Sequence, residues 1–555
     1  MTARKLLLLG MIVVLLVGGA YRVWQLVWVG RFDTVVRGGT VFDGVNPPYK
    51  ADLGIRDGRI ARIGHLWLAC AGRVIRARGL VVAPGFIDVH AHVERNFPKG
   101  CKPFQAPNFV LQGVTTLVTG NCGTSEVDVC RIFDRLEQCG SQVNVATLVG
   151  HNSVREKVMG RVPRTPTPNE LRAMGDLVAQ GMKEGALGLS TGLGYAPGRF
   201  ADKAEVLSLA RVAAEHGGIY VTHIRDEGAN GQAALAEAIA VAREAELPLH
   251  VSHFKVSSRR EWGSAAQRLA LLGAAAQEGL RVTIDHYPYS ASSSTLELLL
   301  PDEAVEDRSQ LKRRLRDPHE REAIITAMLE RLKANGWTDL SFARVAYCQS
   351  QPDATGHSIS DLARRHPPCI GRLTSNPHRG SETSDRLRAE ASVALDLYRR
   401  CNPQMVYEDM AEDDVATIMR FSQTSFGSDS GVRDNAQGRP HPRGWGTFPR
   451  VLAHYVRENP TLSLQEAIRR MTALPATTFG LTDRGRIRVG GWADLVVFDP
   501  HEIRDTATYD QPLNQPEGIR YVIVNGKVVA EDGHTTAAHP GRPIRRESAA
   551  SASCR

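Results

Sequence analysis

Pro84-Gly85-Phe86-Ile87-Asp88-Val89-His90-Ala91-His92 is a short apolar run that ends in His-x-His. Its apolar, β-favouring residues read as a strand. Residues i and i+2 of a strand point the same way, so both imidazoles reach one point. Imidazole pairs suit Zn2+ and similar metals. The design repeats downstream. Thr115–Thr119 runs into Cys122, Ile219–Thr222 into His223, Leu249–Ser252 into His253, and Phe426 precedes Asp429. Polar residues at the C-terminal ends of parallel strands converge on one face of a barrel. Five nitrogen or sulfur donors and a carboxylate are enough for one zinc or two.

Outward from these strand ends, residues 84–483 alternate short apolar runs with helical stretches such as Pro168–Glu184, Ala204–His216 and Gln232–Ala245. Strand–helix alternation over that length predicts an α/β fold, a (β/α)8 TIM-like barrel. Residues 296–365 are charged and helical in pattern, and read as a cap inserted over one barrel face. Short strand-like runs with Gly-rich turns occupy 31–83, and a matching set follows over 484–545, including the turn Asn525-Gly526. Both sets together predict one small β-sandwich built from the two chain ends. Residues 546–555 read as a tail.

The chain has 555 residues, 42% hydrophobic and 23% charged, enough to bury a core and too few charges for a disordered polyelectrolyte. The net charge of +8 is small for this length, and the Arg-rich stretch 308–322 also carries Asp and Glu, so no nucleic-acid partner is expected. Arg4 and Lys5 precede the uncharged apolar stretch Leu6–Ala20, and Gly18 and Ala20 fit a signal-peptidase site. Residues 1–30 therefore read as a cleaved signal peptide or a retained membrane anchor, with the catalytic domain exported (periplasmic in a bacterium); an anchor that leaves the domain facing the cytoplasm is the alternative. Nine cysteines are sparse and odd in number, against a disulfide scaffold; in an exported domain some pair, in an order the sequence leaves open.

Several longer strings are more specific than His-x-His. They are Gly113–Ser125 (GVTTLVTGNCGTS), Glu184–Gly198 (EGALGLSTGLGYAPG), Thr222–Glu227 (THIRDE), Ser252–Lys255 (SHFK), Asp285–Thr295 (DHYPYSASSST) and His441–Arg450 (HPRGWGTFPR). With Arg484–Asp499 they make the chain, from Phe32 to Val529, resemble the D-aminoacylase (N-acyl-D-amino-acid deacylase) branch of the amidohydrolase superfamily. The resemblance implies that Cys122 and His223 hold a tightly bound zinc. It implies that His90, His92 and His253 form a second, weaker metal position with Asp429 beside it. Asp429 takes a proton from the attacking water and passes it to the leaving amine. Lys255, Arg443, Tyr195, Tyr287 and Ser293 match positions that orient the substrate carboxylate and amide.

Cys122 stands where hydantoinase-like relatives carry a bridging lysine, which disfavours cyclic-amide chemistry. The family often has two acidic residues after His-Ala-His; here Val93-Glu94 follows. His250 is expected in the core or against helices, facing away from His253. His151 and His286 are not expected as ligands. The expected reaction is zinc-dependent hydrolysis of N-acyl-D-amino acids. Long-chain N-acyl amino acids or D-residue peptides are the alternative substrates, and an inactive membrane-tethered homologue is the non-enzymatic alternative.

Overall fold

Eight parallel strands form the barrel in this computed structural model, which describes residues 17–19, 31–305, 308–365, 382–433 and 437–546. They are β1 (Phe86–Asp88), β2 (Val114–Thr119), β3 (Asn144–Thr147, continued by Val149–Gly150), β4 (Gly188–Gly192), β5 (Ile219–His223), β6 (Leu249–Val251), β7 (Val282–His286) and β8 (Thr424–Phe426). Hydrogen-bonded ladders run in order from β1 to the first part of β3, and from its second part to β7 and β8. Closure comes just beyond the strand ends. Ala91 bridges Ser430, His92 N donates to Ser430 O (2.9 Å) and Asp429 N donates to His90 O (2.8 Å).

Nearly every barrel-strand residue is buried, as expected of strands covered by helices outside and side chains inside. Ile87, Val89, Val118, Ala146, Leu148, Leu187, Ile219 and Val221 pack into one interior cluster with Ala476, Phe479 and Leu481. The barrel is therefore a filled core, and its mouth is left for polar side chains. Between strands, helices start where the sequence caps them. Thr167 accepts from Glu170 N while the Glu170 carboxylate accepts from Thr167 N, fixing the first turn of Pro168–Lys183.

Strands from both chain ends share one nine-stranded sheet. Leu495–Phe498 pairs antiparallel with Val81–Pro84, and this seam joins the early strands to Ile519–Val524 and Lys527–Glu531. Val36, Leu53, Ile75, Leu495 and Ile523 share its core. Residues 539–546 depart from the expected arrangement. They leave this sheet and run along the barrel, bridging Ser141 and Val145, with Ile544 N donating to Val145 O (2.8 Å).

The cap is longer than 296–365. A separate hydrophobic core runs from Leu296 to Tyr407, and a three-stranded antiparallel sheet joins Ser292–Thr295, Gln404–Tyr407 and Ala343–Tyr347. The strand Gln404–Tyr407 and the helix Glu382–Arg400 lie beyond residue 365. The charged composition marks the cap's outer helices but not the apolar strand that returns to the barrel.

Disulfides join Cys101 to Cys139 and Cys348 to Cys401; Cys70 and Cys122 are free thiols. No helix among the described residues is long and apolar enough to cross a membrane. The expected signal or anchor over 1–30 lies outside the described residues save for 17–19, as does the tail beyond Arg546.

Candidate active site

Cys122, His253 and Asp429 all sit just past a strand end with φ of 51°, 32° and 49°. Left-handed backbone is uncommon for residues other than glycine, and the surrounding structure must hold it. Strand alternation stops at these positions, and the three side chains turn inward to meet those of His90, His92 and His223. The Cys122 Sγ lies 3.3 Å from His90 Nε2, 3.4 Å from His253 Nε2 and 3.9 Å from His223 Nδ1. His223 Nδ1 and His253 Nε2 are 2.7 Å apart. Asp429 Oδ1 lies 3.1 Å from His92 Nε2 and 3.7 Å from His90 Nε2. Three triads have donor atoms within 4.8 Å of one another: His90–His92–Cys122, Cys122–His223–His253 and His90–His253–Asp429.

A carboxylate stands behind these imidazoles. Asp285 Oδ2 is 3.1 Å from His90 Nδ1 and 3.0 Å from His250 Nε2, and its Oδ1 accepts from His253 N (2.9 Å). Glu227 Oε1 is 2.9 Å from His253 Nδ1, and its Oε2 is 3.9 Å from His223 Nε2. The contacts on His90 Nδ1 and His253 Nδ1 occupy the far nitrogen of each ring and leave Nε2 facing the cluster.

The electrostatics favour a cation at the centre. Burial alone would raise the Cys122 thiol, but His90 and His253 outweigh it and hold the pKa well below its usual value, in favour of the thiolate form. Burial would likewise raise Asp429, yet Arg443 and His90 keep it ionised. Burial would lower His90, but Asp285, Cys122 and Asp429 raise it strongly. Thiolate, carboxylate and imidazoles oriented by second carboxylates are the donor set that zinc takes, so these residues fit that metal.

Residues 73–530 match the sequence profile of the amidohydrolase family. The chain belongs to the amidohydrolase family. It is 36% identical over 542 residues to the D-aminoacylase of Alcaligenes xylosoxydans xylosoxydans, covering 93% of this chain and 98% of that one. It is 35% identical to the N-acyl-D-glutamate deacylase of the same organism, covering 93% and 97%. Among solved structures, N-acyl-D-glutamate deacylase from Bordetella bronchiseptica, complexed with zinc and a phosphonate mimic of the tetrahedral intermediate, is similar with a TM-score of 0.76 at 34% identity. That match covers 93% of this chain and 100% of that one. These likenesses place this amidohydrolase in the D-aminoacylase branch.

The amidohydrolase opens its cluster into a cavity of about 850 Å3, lined in part by His92, Cys122, His253, Asp429, Tyr195, Ser293 and Arg443. Arg443 Nη1 is 2.9 Å from Asp429 Oδ2. The Tyr195 ring lies 4.5 Å from that of His223. Ser293 Oγ donates to Met405 O (2.7 Å), which sets this residue on the cap sheet.

Two expected substrate residues are placed otherwise. Lys255 does not line the cavity; its Nζ donates to Glu227 Oε1 (2.6 Å) and lies 2.9 Å from His253 Nδ1. The left-handed residue at 253 breaks the strand face that Lys255 and His253 would otherwise share. Tyr287 is wholly buried beneath Arg443, whose guanidinium stands 4.5 Å from the ring centre.

Glu227 and Asp285 carry no assigned role in the sequence reading, although both stand in its specific strings, at the end of THIRDE and the start of DHYPYS. Their signal is a carboxylate just past, or within, a strand whose neighbours carry histidines. His250 is buried as expected, its ring 5.2 Å from that of Phe479 at the end of the helix Ala473–Thr478, and it also reaches the site through Asp285. His151 pairs instead with Glu205 (2.8 Å), and His286 Nδ1 donates to Phe254 O (2.9 Å), so neither joins the cluster. Val93 is core, and Glu94 accepts from Thr119 Oγ1 and Gly120 N at 2.5 Å.

Proposed function

We propose that the chain hydrolyses the amide bond of N-acyl-D-amino acids, releasing a carboxylate and the free D-amino acid. The observation that carries this reading is the placement of Asp429 and Arg443 in one cavity beside the Cys122–histidine cluster. Cys122, His223, His90, His92 and His253 would hold zinc. Bound there, zinc supplies a nucleophile from water at neutral pH and a Lewis acid for the scissile carbonyl.

The chain's own groups do the rest. Arg443 is planar, buried and always charged, so it grips the substrate α-carboxylate in one orientation. Tyr287 stacks beneath it and holds its plane. That grip sets the scissile amide beside Asp429. The ionised Asp429 takes the proton of the attacking water and delivers it to the leaving nitrogen. Tyr195 and Ser293 line the same cavity, within reach of the bound substrate. Lys255 and Glu227 hold His253 rather than the substrate.

Residues 1–30 deliver the domain out of the cytoplasm or hold it at the membrane. The uncharged stretch Leu6–Ala20 behind Arg4 and Lys5 supports this, as do the disulfides Cys101–Cys139 and Cys348–Cys401, since disulfides persist in oxidising compartments.

The test is turnover of a panel of N-acetyl-D-amino acids and their L-enantiomers by zinc-loaded protein. Release of free D-amino acid from at least one member is expected. No turnover of any member overturns the reading.

A further inference from the structure

Trp67 and Leu68 form the apolar tip of the turn between the strands Arg59–Gly64 and Cys70–Arg76, and both are largely solvent-exposed, at 73% and 61%. The base of the turn is pinned. Leu66 is buried with Phe32 and Val35; its N–H donates to Asp52 Oδ2 (2.8 Å), and its carbonyl accepts from Ala69 N (3.0 Å) and Arg37 Nη2 (3.2 Å). A held base with a projecting Trp-Leu tip costs apolar exposure that the fold itself does not need.

The position of the tip says what covers it. Strand Cys70–Arg76 runs parallel to the strand Arg31–Val41, with Cys70 opposite Arg31. The N-terminal segment therefore joins the domain two residues from the exposed tip in the facing register. That segment carries the uncharged run Leu6–Ala20 and then Val23–Val29, which includes Trp24 and Trp28. Ala20 is joined to Arg31 by so few residues that their separation is at most on the order of 35–40 Å, fully extended. The domain thus meets any membrane that holds the segment at this edge. Arg31 and Arg62 are exposed and have no ion pair among the described residues, while the nearby Asp33 carboxylate accepts from Asp57 N (2.8 Å). Tryptophan and leucine beside arginines suit the boundary between anionic headgroups and acyl chains.

We propose that the Trp67–Leu68 turn is a membrane-contact site that seats in the headgroup region of an anionic bilayer beside the N-terminal segment. The inference rests on that segment being retained as an anchor. It assigns the β domain a second attachment, which limits the domain's tumbling on its tether.

The exposed thiol of Cys70 gives a native probe position. The experiment uses the full chain, zinc-loaded, with an environment-sensitive fluorophore on Cys70, in vesicles of phosphatidylcholine with a minority of phosphatidylglycerol. A Cys70→Ser control reports any label elsewhere. In vesicles, quenching by headgroup-region nitroxide lipid and shielding from aqueous iodide are expected. The double variant Trp67→Ser, Leu68→Ser should lose both, with vesicle flotation and deacylation unchanged. A probe that stays iodide-accessible in floating protein overturns the contact site. Shielding already present without vesicles also overturns it, and points to a second copy of the chain as the cover. If the full chain does not float at all, the anchor reading fails and takes the contact site with it, while the deacylase reading stands.

Discussion

Arg443 Nη1 lies 2.9 Å from Asp429 Oδ2, and both side chains are almost wholly buried. The group proposed to receive the substrate carboxylate thus touches the group proposed to move the proton. Removing Asp429 leaves the five nitrogen and sulfur donors in place. Asp429→Asn should keep bound zinc and lose about 10²–10⁴-fold in kcat, the usual worth of a positioned acid–base group. Metal content and steady-state rates check this together; a variant with zinc and full turnover removes Asp429 from the proton transfer. Arg443→Met should raise KM and lower kcat together, because it loosens the substrate and also leaves Asp429 without its buried partner. A change confined to KM would mean that Arg443 serves binding alone.

Asp285 joins His90, His250 and the His253 backbone, so one carboxylate orients two candidate ligands. Burial alone would raise it, but His90 and His250 hold it well below the usual carboxylate range. Asp285→Asn keeps the shape and removes the charge. Outer carboxylates of this kind are worth about 10–100-fold in metal affinity. A competition titration with a zinc chelator should show a loss of that size, and unchanged affinity would reduce Asp285 to a packing role.

The strand ends carry both the legible and the hidden parts of this molecule. His90, His92, Cys122, His223, His253 and Asp429 are readable because each follows an apolar run, and the barrel gives such ends a common face. What periodicity does not carry is backbone of positive φ. At His253 the chain leaves the strand twist, so the parity argument for Lys255 gives the wrong neighbours. Glu227 and Asp285 are hidden for another reason. Both stand in specific strings near a histidine, but only the fold shows which imidazole each carboxylate stands behind. The cap boundary is blurred by the cap's own composition. Its outer helices are charged and conspicuous, whereas the strand Gln404–Tyr407 resembles a barrel strand in sequence and pairs within the cap.

Asp409 is buried; Ser292 Oγ donates to its Oδ2 (2.8 Å), while Oδ1 has no hydrogen-bond partner. Burial pushes its pKa up from 3.8 to about 7, against the Ser292 hydrogen bond and Lys255, which lower it, while Glu227 raises it. Between these values the folded protein holds a proton that the unfolded chain has released. Stability is therefore unaffected by this group below about pH 4 and falls as pH rises toward 7, by at most ~1.4 kcal/mol for each pH unit crossed. Asp409→Asn should flatten that part of the stability curve and make the protein more stable than wild type near pH 8. Denaturant midpoints across pH 4–8 check this; parallel curves for the two proteins would show that Asp409 does not titrate in this range.

The Cys348–Cys401 disulfide links the end of the strand Ala343–Tyr347 to the end of the helix Glu382–Arg400, and both elements belong to the cap's own core. Closing this long loop limits the unfolded cap, and losing a native disulfide typically costs about 2–5 kcal/mol. The barrel core is a separate cluster that contains neither cysteine. Cys348→Ala with Cys401→Ala should therefore loosen the cap ahead of the barrel. Limited proteolysis should cut first between residues 296 and 407, with zinc content retained. Turnover should fall because Ser293, on the cap sheet, helps line the cavity. One cooperative transition at a lower temperature, with cap and barrel cut together, would show instead that the two cores unfold as one unit.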